Sequence, residues 1–146
     1  MEADTKLLLA SGSLYAKDHT SAEAYWDAVI KHVLNVCADF NNIIVVCEDY
    51  LLYATKLQDQ INSRMETPKL IGVLQYMCFM NNIPYYMQTA SEVKNRWSNE
   101  ILLHKGIIRK YRNSYLPTSG NTKTYTHHSL DAIRHAIHFI TFRNGD

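Results

Sequence analysis

Apolar and polar residues alternate along the chain with the periods that are typical of helices and strands. In residues 22–37, apolar side chains recur every three or four positions, which predicts an amphipathic helix capped by Thr20 or Ser21 and ending near Asn41. The run 43–47 is continuously apolar and mostly β-branched. It therefore predicts a strand that is buried on both faces, as in the middle of a sheet.

A second helix and strand follow the polar segment 50–66, for which we predict an irregular connection. The helix is expected to begin at Thr67-Pro68, because proline suits the first turn, and to stop before a short strand at 85–88. Residues 89–91 can cap another helix, and a further helical stretch is expected from about residue 98 to 109.

The two ends of the chain complete the predicted fold. Near the start, the apolar runs 6–10 and 13–16 flank Ser11-Gly12, which predicts an antiparallel hairpin with a tight turn. Near the end, a loop over 117–123 leads into a closing helix over 126–142. Since strands and helices alternate, we expect an α/β fold in a single domain that spans residues 1–146.

Composition indicates a soluble protein. The 146 residues are 47% hydrophobic, which is enough for one core, and no apolar run approaches the roughly 20 residues of a membrane helix. The first residues are acidic and lack the features of a secretory signal, so we expect a cytoplasmic protein with no membrane partner. Cys37, Cys47 and Cys78 have no CxxC spacing and lie in apolar stretches, which favours buried, reduced thiols.

The local charge is more informative than the net charge of +1. Residues 90–112 carry six lysines and arginines against two acids, Glu92 and Glu100. This stretch could face phosphates, or it could be a solvated helix face. The six cations are Lys94, Arg96, Lys105, Arg109, Lys110 and Arg112.

Two places combine residues that could carry chemistry. Glu48 follows the apolar run at the carboxyl end of its strand, where open α/β sheets border a crevice. The closing helix carries His128, Asp131, His135 and His138 at spacings of three, four and three residues. Without HExxH and with one carboxylate on that helix, zinc is disfavoured.

A site for a harder metal is the alternative. Glu48, His128 and Asp131 in one crevice would suit Mg²⁺ or Mn²⁺, which activate water for attack on a phosphodiester. The simpler interpretation is that Glu48 is a loop acid and that Asp131 stabilises the dipole at the start of its helix.

Three motifs in order carry a resemblance to a known family. The segments Val45-Val46-Cys47-Glu48-Asp49-Tyr50, Ser91-Glu92-Val93-Lys94 and His128-Ser129-Leu130-Asp131-Ala132 together resemble the RuvC-type Holliday junction resolvases and their phage relatives. The resemblance covers roughly residues 43–140, and it rests on the order and spacing of the motifs. It implies a ribonuclease H-like fold, a mixed sheet flanked by helices.

The resemblance also implies roles for individual residues. Glu48, His128 and Asp131 would be the ligands of Mg²⁺ or Mn²⁺, and Lys94 would lie near the scissile phosphate, giving Glu48, Lys94, His128 and Asp131 as the catalytic set. Lys105 matches a second basic position. Phosphates of branched DNA would be held by Lys56, Arg64, Lys94, Arg96 and Lys105. The expected protein is a homodimeric endonuclease of recombination and repair, acting in a bacterium or a phage-infected cell.

One part of the family pattern is not found. The family begins with a strand that ends in an aspartate ligand, whereas Asp4 follows only three residues. The usual first strand is therefore expected to be missing, with a loss of activity as one consequence. This keeps a second hypothesis open, a degenerate, non-catalytic nuclease fold that binds nucleic acid or protein. A third is a different metal-dependent phosphotransfer enzyme of similar fold.

Overall fold

The computed structural model describes residues 1–119, 121–122 and 127–143 and shows a mixed α/β chain. It divides into two compact units, which we call the middle unit (Leu14–Met87) and the terminal unit (Met1–Ser13 with the described part of Gln88–Asp146). None of the helices within the described ranges is long and apolar enough to cross a membrane. In chain order the described elements are β1 (Ala10–Ser11), α1 (Ala22–Ala38), β2 (Val45–Glu48), α2 (Leu57–Asn62), α3 (Glu66–Met80), β3 (Tyr85–Gln88), α4 (Ala90–Arg96), α5 (Asn99–His104), β4 (Ile108–Tyr111), β5 (Ser114–Pro117), β6 (Asn121–Thr122) and α6 (His127–Phe142).

The middle unit contains two long helices, α1 and α3, which pack on each other. The predicted start of α1 is confirmed, because the Ser21 hydroxyl accepts a hydrogen bond from the backbone N–H of Ala24 at 3.1 Å. Strands β2 and β3 form a two-stranded sheet. The expectation of a strand buried on both faces is wrong: β2 is half-buried, with Glu48 as its exposed last residue.

Two further expectations about the middle unit need correction. The polar segment 50–66 is not irregular throughout, because it contains a 3-10 turn at Ala54–Lys56 and the helix α2. The three cysteines are free, as expected, but only Cys78 is buried. Cys47 is half-buried, and this burial, together with the nearby carboxylates of Glu48 and Asp49, raises the pKa of its thiol to about 11.

The terminal unit holds the main hydrophobic core. Helix α4 packs on α6, and α5 leads into the antiparallel pair β4–β5. The predicted closing helix is confirmed as α6, and its stripe of Leu130, Ile133 and Ile137, spaced by three and four, faces the core. The buried members of this core are Leu8, Val93, Trp97, Leu102, Ile108, Leu130, Ile133 and Ile137.

The N-terminal hairpin is not present. Strand β1 has two residues and pairs in parallel with β6, with Ala10 opposite Asn121. The segment that follows β1 is held by the closing helix instead of folding back on itself. The hydroxyl of Ser129 donates to the carbonyl of Gly12 at 3.4 Å, and it lies 3.0 Å from the hydroxyl of Ser13.

The helix expected over 98–109 is also shorter than predicted. It ends at His104, because the next residues form a C-terminal cap with Gly106 in the left-handed region at φ +69°. The chain then extends into β4, which pairs with β5 through a two-residue turn. The three cations of this turn and its first strand, Arg109, Lys110 and Arg112, therefore lie on a hairpin and not on a helix.

Candidate functional site

Two of the predicted site residues come together in the terminal unit. The Nζ atom of Lys94 on α4 lies 3.5 Å from Oδ2 of Asp131 on α6. On the other side of the carboxylate, Nη1 of Arg134 lies 2.7 Å from Oδ1. We call these three residues the Lys94 cluster. Asp131 lies between these two cations, and because its side chain is 21% exposed, the cluster is partly open to solvent.

Helix caps fix the position of Lys94. The side chain of Thr89 accepts a hydrogen bond from the backbone N–H of Glu92, which sets the start of the short helix α4. Its C-terminal cap is Trp97, and the Ser98 hydroxyl in turn caps α5. The turn between α4 and α5 is thereby held in a defined conformation beside α6.

Arg134 joins this turn to Asp131. Its Nε atom donates to the carbonyl of Trp97 at 2.9 Å, and Nη2 donates to the side-chain oxygen of Asn99. The carbonyl of Trp97 lies at a helix C-terminus, where backbone acceptors lack intrahelical partners. Because Arg134 is only 12% exposed and uses three nitrogens on three acceptors, its side chain is fixed.

An open pocket of about 240 Å³ lies beside this cluster. Its walls provide two cations, a hydroxyl and an amide, a set of groups that can donate hydrogen bonds to an anion. The residues that line it are Lys94, Trp97, Ser98, Asn99 and Arg134. The arrangement is therefore suited to hold a phosphate group next to the Asp131 carboxylate.

A second polar cluster braces α4 against α6. The indole N–H of Trp97 donates to Nδ1 of His138 at 3.2 Å. Since Nδ1 accepts, a neutral His138 carries its proton on Nε2, which lies 3.3 Å from Oε1 of Glu92. Arg143 also donates to Oε1 of Glu92, at 3.0 Å. We call these residues the Glu92 cluster.

The Glu92 cluster has a defined electrostatic balance. Burial alone would raise the pKa of Glu92, but hydrogen bonds from Arg143 and His138, together with the charge of Arg143, hold this pKa below its usual value. His138 is 2% exposed, so it is a packed, hydrogen-bonded histidine. By joining α4 to α6, the cluster supports the approach of Lys94 to Asp131.

The other predicted catalytic residues are not part of the Lys94 cluster. Glu48 belongs to the middle unit, where it ends β2. His128 is exposed in the first turn of α6. Over residues 1–119, 121–122 and 127–143, no group of three or more His, Cys, Asp or Glu side chains is placed to hold a metal ion. The metal site with Glu48, His128 and Asp131 as ligands stays a prediction.

The predicted phosphate-binding cations are all exposed. Lys56 and Arg64 lie in the middle unit. In the terminal unit, Arg96 stacks over Phe142, with Cζ 4.8 Å from the ring centroid, and the Nζ atom of Lys105 lies 5.9 Å from the centroid of the Trp97 ring. Lys94 alone of this set is paired with a predicted catalytic residue in the described part of the chain.

Sequence reasoning missed Arg134, although one signal was available. Arg134 lies three residues after Asp131 on the same helix, a spacing at which opposite charges pair. The contact of Arg134 with the carbonyl of Trp97 could not be inferred, because it depends on how α4 ends.

The comparisons with known proteins give no assignment. No protein-family model matches the chain, and no curated protein or solved structure matches it either.

Proposed function

We propose that the chain is a metal-dependent endonuclease of the RuvC type, with a ribonuclease H-like fold, that hydrolyses phosphodiester bonds in branched DNA. The observation that supports this most is the 3.5 Å approach of Lys94 to Asp131. These residues belong to two separate motifs, SEVK and HSLDA, whose order along the chain resembles that of the family.

The proposed roles follow from the chemistry of each side chain. The ammonium group of Lys94 would bind the scissile phosphate and stabilise the negative charge that develops on it. Arg134 would hold Asp131 in place, and the pocket beside it would orient the phosphate through Ser98 and Asn99. Lys56, Arg64, Arg96 and Lys105 would bind more distant phosphates.

The proposed ligands of Mg²⁺ or Mn²⁺ are Glu48, His128 and Asp131, of which the two carboxylates offer the hard oxygen donors these ions prefer. The ion would supply an activated water and charge neutralisation at the leaving oxygen. A homodimer with two such sites suits symmetric cleavage of a four-way junction, and light scattering would test its mass. We expect it to act in the cytoplasm of a bacterium or a phage-infected cell.

A second candidate function is non-catalytic binding of nucleic acid. It is favoured by one observation: both oxygens of the Asp131 carboxylate are engaged, Oδ1 by Arg134 and Oδ2 by Lys94. A carboxylate neutralised in this way serves to position two cations for phosphate, and such binding needs no metal. In this case the chain would be a regulatory module built on a degenerate nuclease fold.

The experiment that separates the two compares cleavage and binding of labelled four-way junction and linear duplex, with Mg²⁺ or Mn²⁺. We expect junction-selective cleavage that Asp131→Asn and Glu48→Gln abolish, and that Lys94→Gln slows by about 100-fold because a charge at the phosphate is lost. Asp27→Asn is the control, since this exposed acid on α1 pairs with Lys31 and lies in the middle unit. Tight binding without cleavage would support the second candidate and contradict the first.

A further inference from the structure

The hairpin β4–β5 carries an unbalanced positive charge. Between Ile101 and Ser119 the sequence has four lysines and arginines and no acid. Three of them, Arg109, Lys110 and Arg112, are exposed on the hairpin. Within the part of the chain that the structure describes, none of these three forms an ion pair with an acid. Their charges are therefore directed to solvent.

The register of the hairpin shows which side chains share a face. Ile108 pairs with Pro117 and Lys110 with Tyr115 on one face of the hairpin. This face is turned to the core at Ile108, which is 2% exposed, and at Tyr115, which packs against the core, whereas Lys110, nearer the turn, is exposed.

The opposite face is the exposed one. It carries the pairs Arg109 with Leu116 and Tyr111 with Ser114. Tyr111 is 47% exposed, and the guanidinium carbon of Arg112 lies 5.5 Å from the centroid of its ring. We call the four consecutive exposed residues at the turn end of β4, Arg109, Lys110, Tyr111 and Arg112, the hairpin patch, in which Lys110 projects from the other face of the strand.

The backbone at Arg112 is unusual for an arginine. Its φ is +52°, in the left-handed region that glycine and asparagine adopt most easily. Two-residue hairpin turns normally use those residues at such positions. Arginine there costs conformational energy, yet it places a cation against an exposed aromatic ring at the tip.

We propose that the hairpin patch is a nucleic-acid-binding surface, in which Arg109, Lys110 and Arg112 bind backbone phosphates and Tyr111 stacks on an unpaired base. This inference rests on the proposed function for the choice of nucleic acid as partner. Charge complementarity argues for it, because phosphates supply regularly spaced negative charges that match several cations without acids. The exposed aromatic ring supplies the stacking platform that proteins use for unpaired bases.

The first test measures binding by fluorescence anisotropy in EDTA, so that cleavage does not contribute. Labelled four-way junction, linear duplex and single-stranded DNA are titrated at several salt concentrations. For the triple variant Arg109→Ala, Lys110→Ala, Arg112→Ala we expect weaker binding. The slope of log K against log salt concentration should also be smaller in magnitude by about 2 to 3. The matched control is Lys17→Ala, which removes a cation lying 5.4 Å from the Tyr15 ring in the middle unit.

Two single variants separate binding from folding. Arg112→Gly keeps the turn, because glycine adopts a positive φ without steric cost, so we expect unchanged or higher thermal stability together with weaker DNA binding. Tyr111→Ala should weaken binding of single-stranded DNA by about 5- to 150-fold with an unchanged salt slope, because stacking carries no charge. Tyr111→Phe should restore that affinity.

The outcomes also distinguish this inference from the nuclease proposal. If the triple variant loses affinity while the unaltered protein does not cut DNA, the hairpin patch is supported and the nuclease is contradicted. If the triple variant binds and cuts as well as the unaltered protein, the hairpin patch is overturned and the nuclease stands. Equal binding of poly-glutamate and DNA with the same loss in the triple variant would overturn the inference in favour of an acidic protein partner.

Discussion

At the scale of single residues, Glu92 shows how charge holds two helices together. It lies on α4 and interacts with His138 and Arg143 near the end of the chain. These partners hold the pKa of Glu92 below its usual value, against the effect of burial, which would raise it. A carboxyl group with a lowered pKa in the folded state stabilises the protein above its unfolded-state pKa, and this stabilisation is lost as the pH falls through the folded-state value.

We therefore predict that Glu92→Gln lowers the free energy of unfolding by about 1 kcal/mol at neutral pH, because a charged acceptor becomes a neutral one. Below the ordinary pKa of 4.5, Glu92 becomes protonated first in the unfolded state and then in the folded state. The difference in free energy of unfolding between the unaltered protein and Glu92→Gln should therefore shrink. Urea unfolding of the unaltered protein and of Glu92→Gln at neutral and acid pH measures this difference. Glu100→Gln, at an exposed position on α5, is the control. An equal loss at both pH values would show that charge is not the cause.

At the scale of elements, the seven-residue helix α4 depends on its two ends. Thr89 caps the first turn, and Arg134 binds the Trp97 carbonyl that follows the last turn. An isolated helix of this length is unstable in water, so packing and capping must supply its stability. The position of Lys94 opposite Asp131 is thus a consequence of how α4 begins and ends.

Arg134→Lys tests this dependence. Lysine keeps the charge but cannot reach three acceptors in different directions, so we expect the free energy of unfolding to fall by about 2 kcal/mol. The comparison is Lys31→Ala, which breaks an exposed pair with Asp27 at 2.6 Å and should cost less than about 1 kcal/mol. Thermal and urea unfolding provide the measurements. A smaller loss for Arg134→Lys than for Lys31→Ala would contradict a structural role of the three hydrogen bonds.

Local signals were sufficient for most helices but not for the strand pairings. Caps and a period of 3.6 predicted α1, α3, α4 and α6, because those signals depend on neighbours in sequence. The apolar residues of segment 98–109 also fit a helix, so the predicted helix is too long, and Gly106 with its positive φ marks where it ends. The pairing of β1 with β6 depends on residues more than a hundred positions apart, which no local pattern encodes.

Some residues of the candidate site could be predicted from sequence motifs, and others could not. The motif order drew attention to Lys94 and Asp131, and the structure brings these two together. Arg134 was missed because two of its acceptors, the Trp97 carbonyl and Asn99, are set by the turn between α4 and α5. Arg109 and Arg112 lie on the β4–β5 hairpin, and this placement could not be predicted because the sequence pattern assigned Arg109 to a helix.

At the scale of the whole molecule, the two units differ in how much apolar surface they bury. The terminal unit has a core of eight buried residues that includes Val93, Leu102, Ile133 and Ile137. In the middle unit, whose residues are all described, only Met77 and Cys78 are buried. Several large apolar side chains there are exposed, with Phe79 at 76%. Burial of apolar surface is the main source of stability, so the local stabilities of the units should differ.

Hydrogen exchange followed by mass spectrometry tests this difference directly. We expect the backbone amides of α4 and α6 to exchange more slowly than those of α1 and α3, because opening the terminal unit exposes more buried apolar surface. Leu102→Ala, at a fully buried position, should lower the free energy of unfolding of the terminal unit by about 2 to 5 kcal/mol and accelerate exchange mainly in α4 and α6. Ile101→Ala, its exposed neighbour on α5, is the control. Equal protection in all four helices, with equal acceleration by Leu102→Ala, would show instead that the chain unfolds as one cooperative unit.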